Sequence, residues 1–300
     1  MALLEGKVVA ITGAGRGIGR GIALLCAAHG ASVVVNDAGV SSRGDSEGSS
    51  PALDVVQEIV AAGGKATHCE ASVADWESAQ RIIETAISTF GRIDGVVNNA
   101  GILRDKIFHQ SSPDDWDQVV KTHLYGSYYV SRAAAPYFRQ QGSGAMVHMT
   151  SGSALMGNLG QANYMAAKLG IVGLAKSIAL DMGRYNVRSN CISPTAMSRL
   201  TATIPTEQED RLAAIARATP DKIAPLAAYL LSDLAGEVTG QVFGVRANEL
   251  FLFSQTRPIR LISDNEGWTP EKIGSVAMPM FKPAFTPLDV SGDVFTWDPT

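Results

Sequence analysis

The chain has 300 residues, 46% of them hydrophobic and 18% charged, and a net charge of −4. That length supports one large core, and the balance is that of a soluble globular protein. The acidity leaves no basic footprint for nucleic acid, and no apolar run approaches membrane-spanning length.

Residues 7–12 (KVVAIT) read as a buried strand. The strand meets Gly13-Ala14-Gly15-Arg16-Gly17-Ile18-Gly19, and residues 20–29 follow as an amphipathic helix. A strand, a glycine turn and a helix in succession make a dinucleotide cradle. Glycines let backbone approach a pyrophosphate, and the helix N-terminus favours its charge. Residues 31–36 (ASVVVN) are the next strand and end at Asp37. An acid there suits the ribose hydroxyls of NAD and repels the 2′-phosphate of NADP. The competing reading is a strand-end Asp that caps a turn. Residues 40–51 form a Gly/Ser loop; its Arg43-Gly44-Asp45 tripeptide reads as coincidence.

A helix over 53–62, a strand over 65–69 and a helix over 75–90 come next. The strand over 93–97 runs into Asn98-Asn99-Ala100-Gly101. Ser112-Pro113-Asp114-Asp115 opens a helix by cap, proline and acids. That helix reaches about Gln140 and carries His123. The strand over 145–149 delivers Thr150-Ser151 to its carboxyl end, where open α/β sheets bind ligands.

Within SGSALMGNLGQANYMAAK, Tyr164 and Lys168 lie at i, i+4 on one face of a helix over 162–182. A free tyrosine, with a pKa of about 10, is a poor base. An adjacent ammonium favours phenolate. Ser151 is positioned to hold the reacting oxygen. The helix is small or apolar nearly all round, so one face meets the sheet and another meets a second subunit. The strand over 187–192 leads to Ser193-Pro194-Thr195. The polar stretch 198–219 is a lid candidate. A helix over 220–231 and a last strand over 240–245 complete the pattern. The expected fold is α/β, a doubly wound seven-stranded parallel sheet over residues 1–255. Residues 256–300 form an irregular, proline-broken extension. It keeps Trp268, Phe281, Phe285, Phe295 and Trp297, too many aromatics for disorder. It is expected to pack on the body or a neighbouring subunit, with Thr269-Pro270-Glu271 opening one short helix.

The three cysteines, Cys26, Cys69 and Cys191, are far apart. Their spacing excludes a disulfide framework and a cysteine-based metal site, and no metal is expected. The start does not read as a signal peptide, and the ending DPT is not of the peroxisomal Ser-Lys-Leu type. The expected compartment is the cytoplasm.

Together, Thr12-Gly13-x-x-x-Gly17-x-Gly19, Asn98-Asn99-Ala100-Gly101, Ser151, Tyr164-x-x-x-Lys168 and Pro194 resemble the short-chain dehydrogenases/reductases. Within that family the chain looks most like the dehydrogenase unit of the multifunctional enzymes type 2. The features are VVVNDAG, the long loop after it, THLYGS and IAPLAAYL. The resemblance implies that Tyr164 is the general base or acid. Lys168 holds the nicotinamide ribose and lowers the Tyr164 pKa, while Ser151 steadies the substrate oxygen. The implied NAD set is Gly13, Arg16, Gly17, Ile18, Gly19, Asp37, Ser72, Val73, Asn99, Ala100, Gly101, Tyr164, Lys168 and Pro194. Three positions depart from the family. His123 stands where an Asn usually serves the proton relay, Ser72 replaces an adenine-facing Asp, and Pro194-Thr195 replaces Pro-Gly. The implied reaction is oxidation of a secondary alcohol by NAD, in a homodimer or homotetramer. Ser151, Leu155, Met156, Leu159, Tyr164 and Met197 are the expected substrate contacts. Their apolar character leans toward a 17β-hydroxysteroid, with a (3R)-3-hydroxyacyl-CoA as the alternative. Arg104, Lys106 and Arg199 are available for the phosphates of CoA. An NADPH-dependent ketoacyl reductase and a non-catalytic nucleotide-binding regulator rank lower.

Overall fold

The computed structural model describes residues 2–46, 48, 50–196 and 218–300. Among these, eight strands form one sheet: β1 (Val8–Thr12), β2 (Ser32–Asn36), β3 (Lys65–Cys69), β4 (Gly95–Asn98), β5 (Gly144–Met149), β6 (Val187–Thr195), β7 (Val242–Arg246) and β8 (Glu249–Leu252). Their order is β3-β2-β1-β4-β5-β6-β7-β8. The first seven pair in parallel. The order reverses beside β1, which opens a crevice at the carboxyl ends of β1 and β4.

Alternate residues of each strand feed the two faces. Val9, Ile11, Val33, Val35, Val97 and Val147 join one core with Ile22 and Cys26 of helix α1 (Gly17–Ala28). Val8, Ala10, Val34, Val96 and Met146 join the other with Ile82 and Ile83 of helix α3 (Trp76–Phe90). Helix α2 (Pro51–Ala61) packs on the first face through Val55 and Ile59. Both faces are covered, which is why the strands read as continuous apolar runs. Each fully buried Val or Ile contributes about 1.5–3 kcal/mol.

Three features differ from the sequence expectation. The sheet has an eighth strand, antiparallel, joined to β7 with Arg246 opposite Glu249. Its two-residue turn puts Ala247 at φ 51, a conformation that glycine or asparagine usually supplies, so the sequence carries no turn signal. The helix expected over 112–140 is three pieces: α4 (Pro113–Val120), a π turn (Lys121–Tyr125) and α5 (Gly126–Gln141). The π turn carries His123. Third, the strand expected over 187–192 runs on to Thr195, so Pro194 lies inside β6, opposite Val245. β5 ends at Met149 opposite Ile192, so at Pro194 one side of β6 is free and the missing N–H costs no ladder bond.

Among the described residues of the body, the remaining α-helices are α6 (Gly152–Leu155), α7 (Ala162–Met182) and α8 (Ala224–Leu231). No helix among the described residues is long and apolar enough to cross a membrane. In the C-terminal stretch, the helix expected at Thr269 begins at Pro270, with Lys272 N donating to Thr269 Oγ1 at 3.2 Å. It continues as a π turn (Ile273–Ala277), an α turn (Met278–Phe281) and a 3-10 turn (Lys282–Ala284).

Candidate active site

The crevice at the β1–β4 switch holds a cavity of about 510 Å³. Of the expected NAD set, Gly13, Arg16, Gly17, Ile18, Asp37, Ser72, Val73, Asn99, Ala100 and Gly101 line it. The glycine turn is a tight cradle: a Cβ on Gly19 would collide with Gly13 O, and Gly17 opens α1 at φ 53. Asn99 locks the turn from the next strand by donating Nδ2–H to Thr12 O at 2.9 Å and Gly13 O at 3.0 Å. Thr12 Oγ1 accepts the backbone N–H of Asn99 and of Ala100. The Asp37 carboxylate accepts from Gly15 N at 3.1 Å and Gly39 N at 2.9 Å. It therefore braces the local turn and lines the cavity at once. The α1 N-terminus opens into this space, so backbone and dipole fit a pyrophosphate. These residues fit a dinucleotide.

The Gly/Ser loop contributes more than the sequence indicated. Val40, Ser41, Ser42 and Gly44 line the cavity. Leu103 N donates to Ser42 O at 2.9 Å, and Arg104 Nε donates to Arg43 O at 3.1 Å. The loop thus straps across the crevice to the segment after Gly101. Gln118 and Thr122, one helical turn apart, line it as well. Nothing local in the sequence marks the strap, because its partners lie some sixty positions downstream.

Beside this crevice, α7 brings Tyr164 and Lys168 to the end of β5. Lys168 is buried, and its Nζ donates to Met149 O at 2.7 Å. Burial depresses its pKa to about 7. Nζ lies 5.6 Å from the centre of the Tyr164 ring. Burial raises the Tyr164 pKa, the Ser151 side chain pulls it down by hydrogen bonding, and the Asp105 carboxylate raises it. In the chain by itself, burial outweighs the expected lowering of the phenol by Lys168. Its ammonium is committed to a carbonyl and is itself easily deprotonated. Ser151 caps α6, accepting from Ser153 N at 3.2 Å.

His123 is buried in the π turn, and its ring meets Tyr164 edge-on with centroids 5.2 Å apart. Nε2 faces Ile102 O at 2.8 Å, while Nδ1 is buried without a partner. Burial, then the nearby Lys168 charge, holds its pKa well below the ordinary histidine value. The imidazole is neutral, its Nε2 also within 3.2 Å of the Ile102 backbone N–H, so the Ile102 peptide holds the ring whichever nitrogen carries the proton, and no described residue partners Nδ1. Gly101 makes room for it, since a Cβ there would strike the ring. A second buried histidine, His148, has its pKa lowered to about 4 by burial. It bridges Asn98 Nδ2 at 3.1 Å and Ser189 Oγ at 3.1 Å across the sheet.

The substrate side is more scattered. Met156 is half-buried and Leu159 is 78% exposed. Leu155 is partly buried against Ile171, Ala175, Cys191 and Val242. Met197, Arg199 and the stretch 197–217 lie outside the described residues. Arg104 pairs with Asp114 at 2.9 Å, and Lys106 pairs with Asp115 at 3.4 Å. Both cations therefore already have carboxylate partners. The C-terminal stretch returns to this side. Ser291 N donates to Gly157 O at 3.2 Å, and a Cβ on Gly157 would lie 2.5 Å from Asp289 O. Further on, Arg246 lies 5.0 Å from the ring of Phe295 and 4.9 Å from that of Trp297. Trp297 Nε1 donates to Glu249 at 2.8 Å, and Asn248 N donates to Thr300 O. These contacts clamp the C-terminal end to the β7–β8 hairpin.

Comparison with known proteins agrees with this geometry. The family model described as enoyl-(acyl carrier protein) reductase matches residues 13–247. A short-chain type dehydrogenase/reductase of Mycobacterium tuberculosis is 48% identical over 77% of this chain and 79% of its own. A hydroxyacyl-CoA dehydrogenase of the same organism is 38% identical over 90% of this chain and 87% of its own. The peroxisomal multifunctional enzyme type 2 of Mus musculus is 42% identical over 90% of this chain. This chain matches only 36% of the length of that mouse enzyme. A 7α-hydroxysteroid dehydrogenase solved with NADH and a 7-oxo bile acid is 32% identical. It superposes with a TM-score of 0.74 over 82% of this chain and 95% of its own. The expectation of a cytoplasmic protein gains no support here, since the mouse relative is named peroxisomal. With the strand order, the cleft and these matches in hand, the chain belongs to the short-chain dehydrogenase/reductase family of oxidoreductases.

Proposed function

We propose that this oxidoreductase converts the 3-hydroxyl of a (3R)-3-hydroxyacyl-CoA to a ketone with NAD. The observation that carries the reading is the juxtaposition of Ser151, Tyr164 and Lys168 beside the dinucleotide crevice. It occurs in a chain similar along most of its length to a hydroxyacyl-CoA dehydrogenase. The initial lean to a 17β-hydroxysteroid gives way to the thioester on that likeness. The hydroxysteroid reading stays second, supported by the likeness to the bile-acid enzyme.

In the proposed reaction Ser151 holds the carbinol oxygen and Tyr164 Oη takes its proton. When bound, NAD supplies the acceptor for the carbinol hydride. Lys168, with its pKa of about 7, can take a proton from the phenol side and release it near neutral pH. Neutral His123, whose ring meets Tyr164 edge-on and whose buried Nδ1 has no partner among the described residues, stands at the position filled by Asn elsewhere in the family and offers a hydrogen-bonding site beside that route. Gly13, Arg16, Gly17, Ile18, Gly19, Asp37, Ser72, Val73, Asn99, Ala100 and Gly101 hold the cofactor, and Asp37 selects NAD over NADP by charge. Lys168 and Tyr164 meet its nicotinamide end beside Pro194. Residues 1–255 carry both sites, and residues 256–300 pack on this body or a neighbouring copy. The outward Leu169 and Leu180 of α7, 53% and 78% exposed, support assembly into a homodimer or homotetramer.

The test is NADH formation with a (3R)-3-hydroxyacyl-CoA, with 17β-oestradiol and with NADP in place of NAD. Preference for the thioester with NAD is expected. Turnover of the steroid alone would move the assignment to the second reading. Preference for NADP would overturn the role of Asp37.

A further inference from the structure

Two stretches that precede Tyr164, residues 104–106 and 158–163, are bonded to one another. Lys106 N donates to Gly160 O at 2.8 Å, and Asn163 Nδ2 donates to Arg104 O at 3.1 Å. Asp105 is therefore pinned from both sides. Its own Oδ2 accepts from Gln161 Nε2 at 2.7 Å, and Gln161 Oε1 in turn accepts from Asn158 Nδ2 at 2.8 Å. Gln161 caps the helix on which Tyr164 sits, less than one turn away. The result is an exposed Asp105 whose carboxylate is held by the residue three positions before Tyr164, near enough for its charge to bear on the phenol, while desolvation raises its own pKa.

That arrangement is costly for the chemistry proposed above. A negative charge near Tyr164 opposes formation of phenolate. The neighbouring cations do not offset it. Arg104 pairs with Asp114 at 2.9 Å and approaches Asp115 at 3.6 Å, and Lys106 pairs with Asp115 at 3.4 Å. The patch thus sets three acids against two bases. A held carboxylate that works against the base is intelligible if it acts on the substrate instead.

We propose that Asp105 is a specificity-determining residue that keeps carboxylates away from Tyr164, so that a 3-hydroxyacyl group is oxidised only when its acid is masked as a neutral thioester. This deepens the hydroxyacyl reading and rests on it. A free 3-hydroxy acid carries its carboxylate two carbons from the carbinol, so a productive pose brings that charge to the Asp105 side. Two like charges several Å apart at protein-surface screening repel enough for roughly a hundredfold effect. The thioester carbonyl carries no charge and meets no such barrier.

The experiment compares kcat/KM for free (3R)-3-hydroxybutanoate and for its N-acetylcysteamine thioester, in the wild type and in Asp105→Asn. The amide keeps an acceptor for Gln161 and removes only the charge. The wild type should favour the thioester by about a hundredfold or more. Asp105→Asn should narrow that ratio at least tenfold, through better turnover of the free acid. Asp105→Glu, which restores the charge, should restore the discrimination. If Asp105→Asn fails to bind NAD, Asp105→Ser carries the same comparison. An unchanged ratio in the neutral variants overturns the proposal and leaves the hydroxyacyl reading standing. Equal use of acid and thioester by the wild type does the same. A wild type that oxidises neither, but does oxidise a steroid, overturns both.

Discussion

Among the described residues, the cavity under the glycine turn is lined by residues between Gly13 and Thr122. The groups around Tyr164 come from Asp105, His123 and Ser151–Lys168, and Asp289 and Ser291 of the far end of the chain close on Gly157 within that last stretch. The first half follows from consecutive strand–turn–helix units, each of which leaves its loop at the same edge. The second half requires stretches more than a hundred residues apart to meet. The cofactor half is thus fixed by local backbone rules, and the substrate half by contacts that no local rule sets.

The strongest way to separate the halves is Tyr164→Phe. Turnover should fall about a thousandfold or more, equivalent to about 4 kcal/mol of barrier. NAD affinity, measured by calorimetry, should stay within about twofold. A parallel loss of NAD affinity would mean that the two halves are one energetic unit.

Lys168 sits between them and gives a pH-dependent test. Its folded-state pKa of about 7 lies below the ordinary 10.5. Between these values the unfolded chain binds more protons, so stability should rise with pH across that window. For a single group the rise is about 2 kcal/mol from pH 7 to pH 9. Lys168→Met should remove that part of the rise, read as the difference in urea midpoints between variant and wild type. Identical pH slopes would show that the ammonium is not desolvated in the folded chain.

The smallest effect belongs to the C-terminal clamp. Trp297→Ala removes one of the two rings against which Arg246 lies and the donor to Glu249. It should cost about 1–2 kcal/mol of stability. The KM for substrate should rise several-fold while the KM for NAD stays within about twofold. A change in the NAD term instead would break the comparison, because the clamp touches no residue of the cofactor cleft.

How much of this was legible follows the same division. The glycine turn and the Tyr164–Lys168 pair could be read because each is a pattern over a few residues, and Asp37 and Asn99 because each ends a legible strand, although Asn99 acts on Thr12 and Gly13 far upstream. The strap from Val40 to Gly44 could not, because its meaning lies in bonds to Leu103 and Arg104. β8 was missed because Ala247 takes a left-handed turn without glycine. The π turn at His123 leaves no mark in an apolar periodicity that continues through it. Arg104 and Lys106 were sequence candidates for phosphate contacts. The carboxylates that claim them, Asp114 and Asp115, were visible nearby but read only as helix-start acids.

The bond from Ser291 to Gly157 also bears on the order in which the chain is made. A ribosome delivers every residue that lines the cofactor cleft before half of the chain exists, but Ser291 among the last ten. A product shortened by a premature stop or a protease cut in the final stretch keeps the whole lining of the NAD cleft. It lacks the group that closes against Gly157. Such a fragment is expected to bind dinucleotide and to turn over substrate less well than the full chain, which calorimetry and an NADH assay on a chain ending at residue 288 would check.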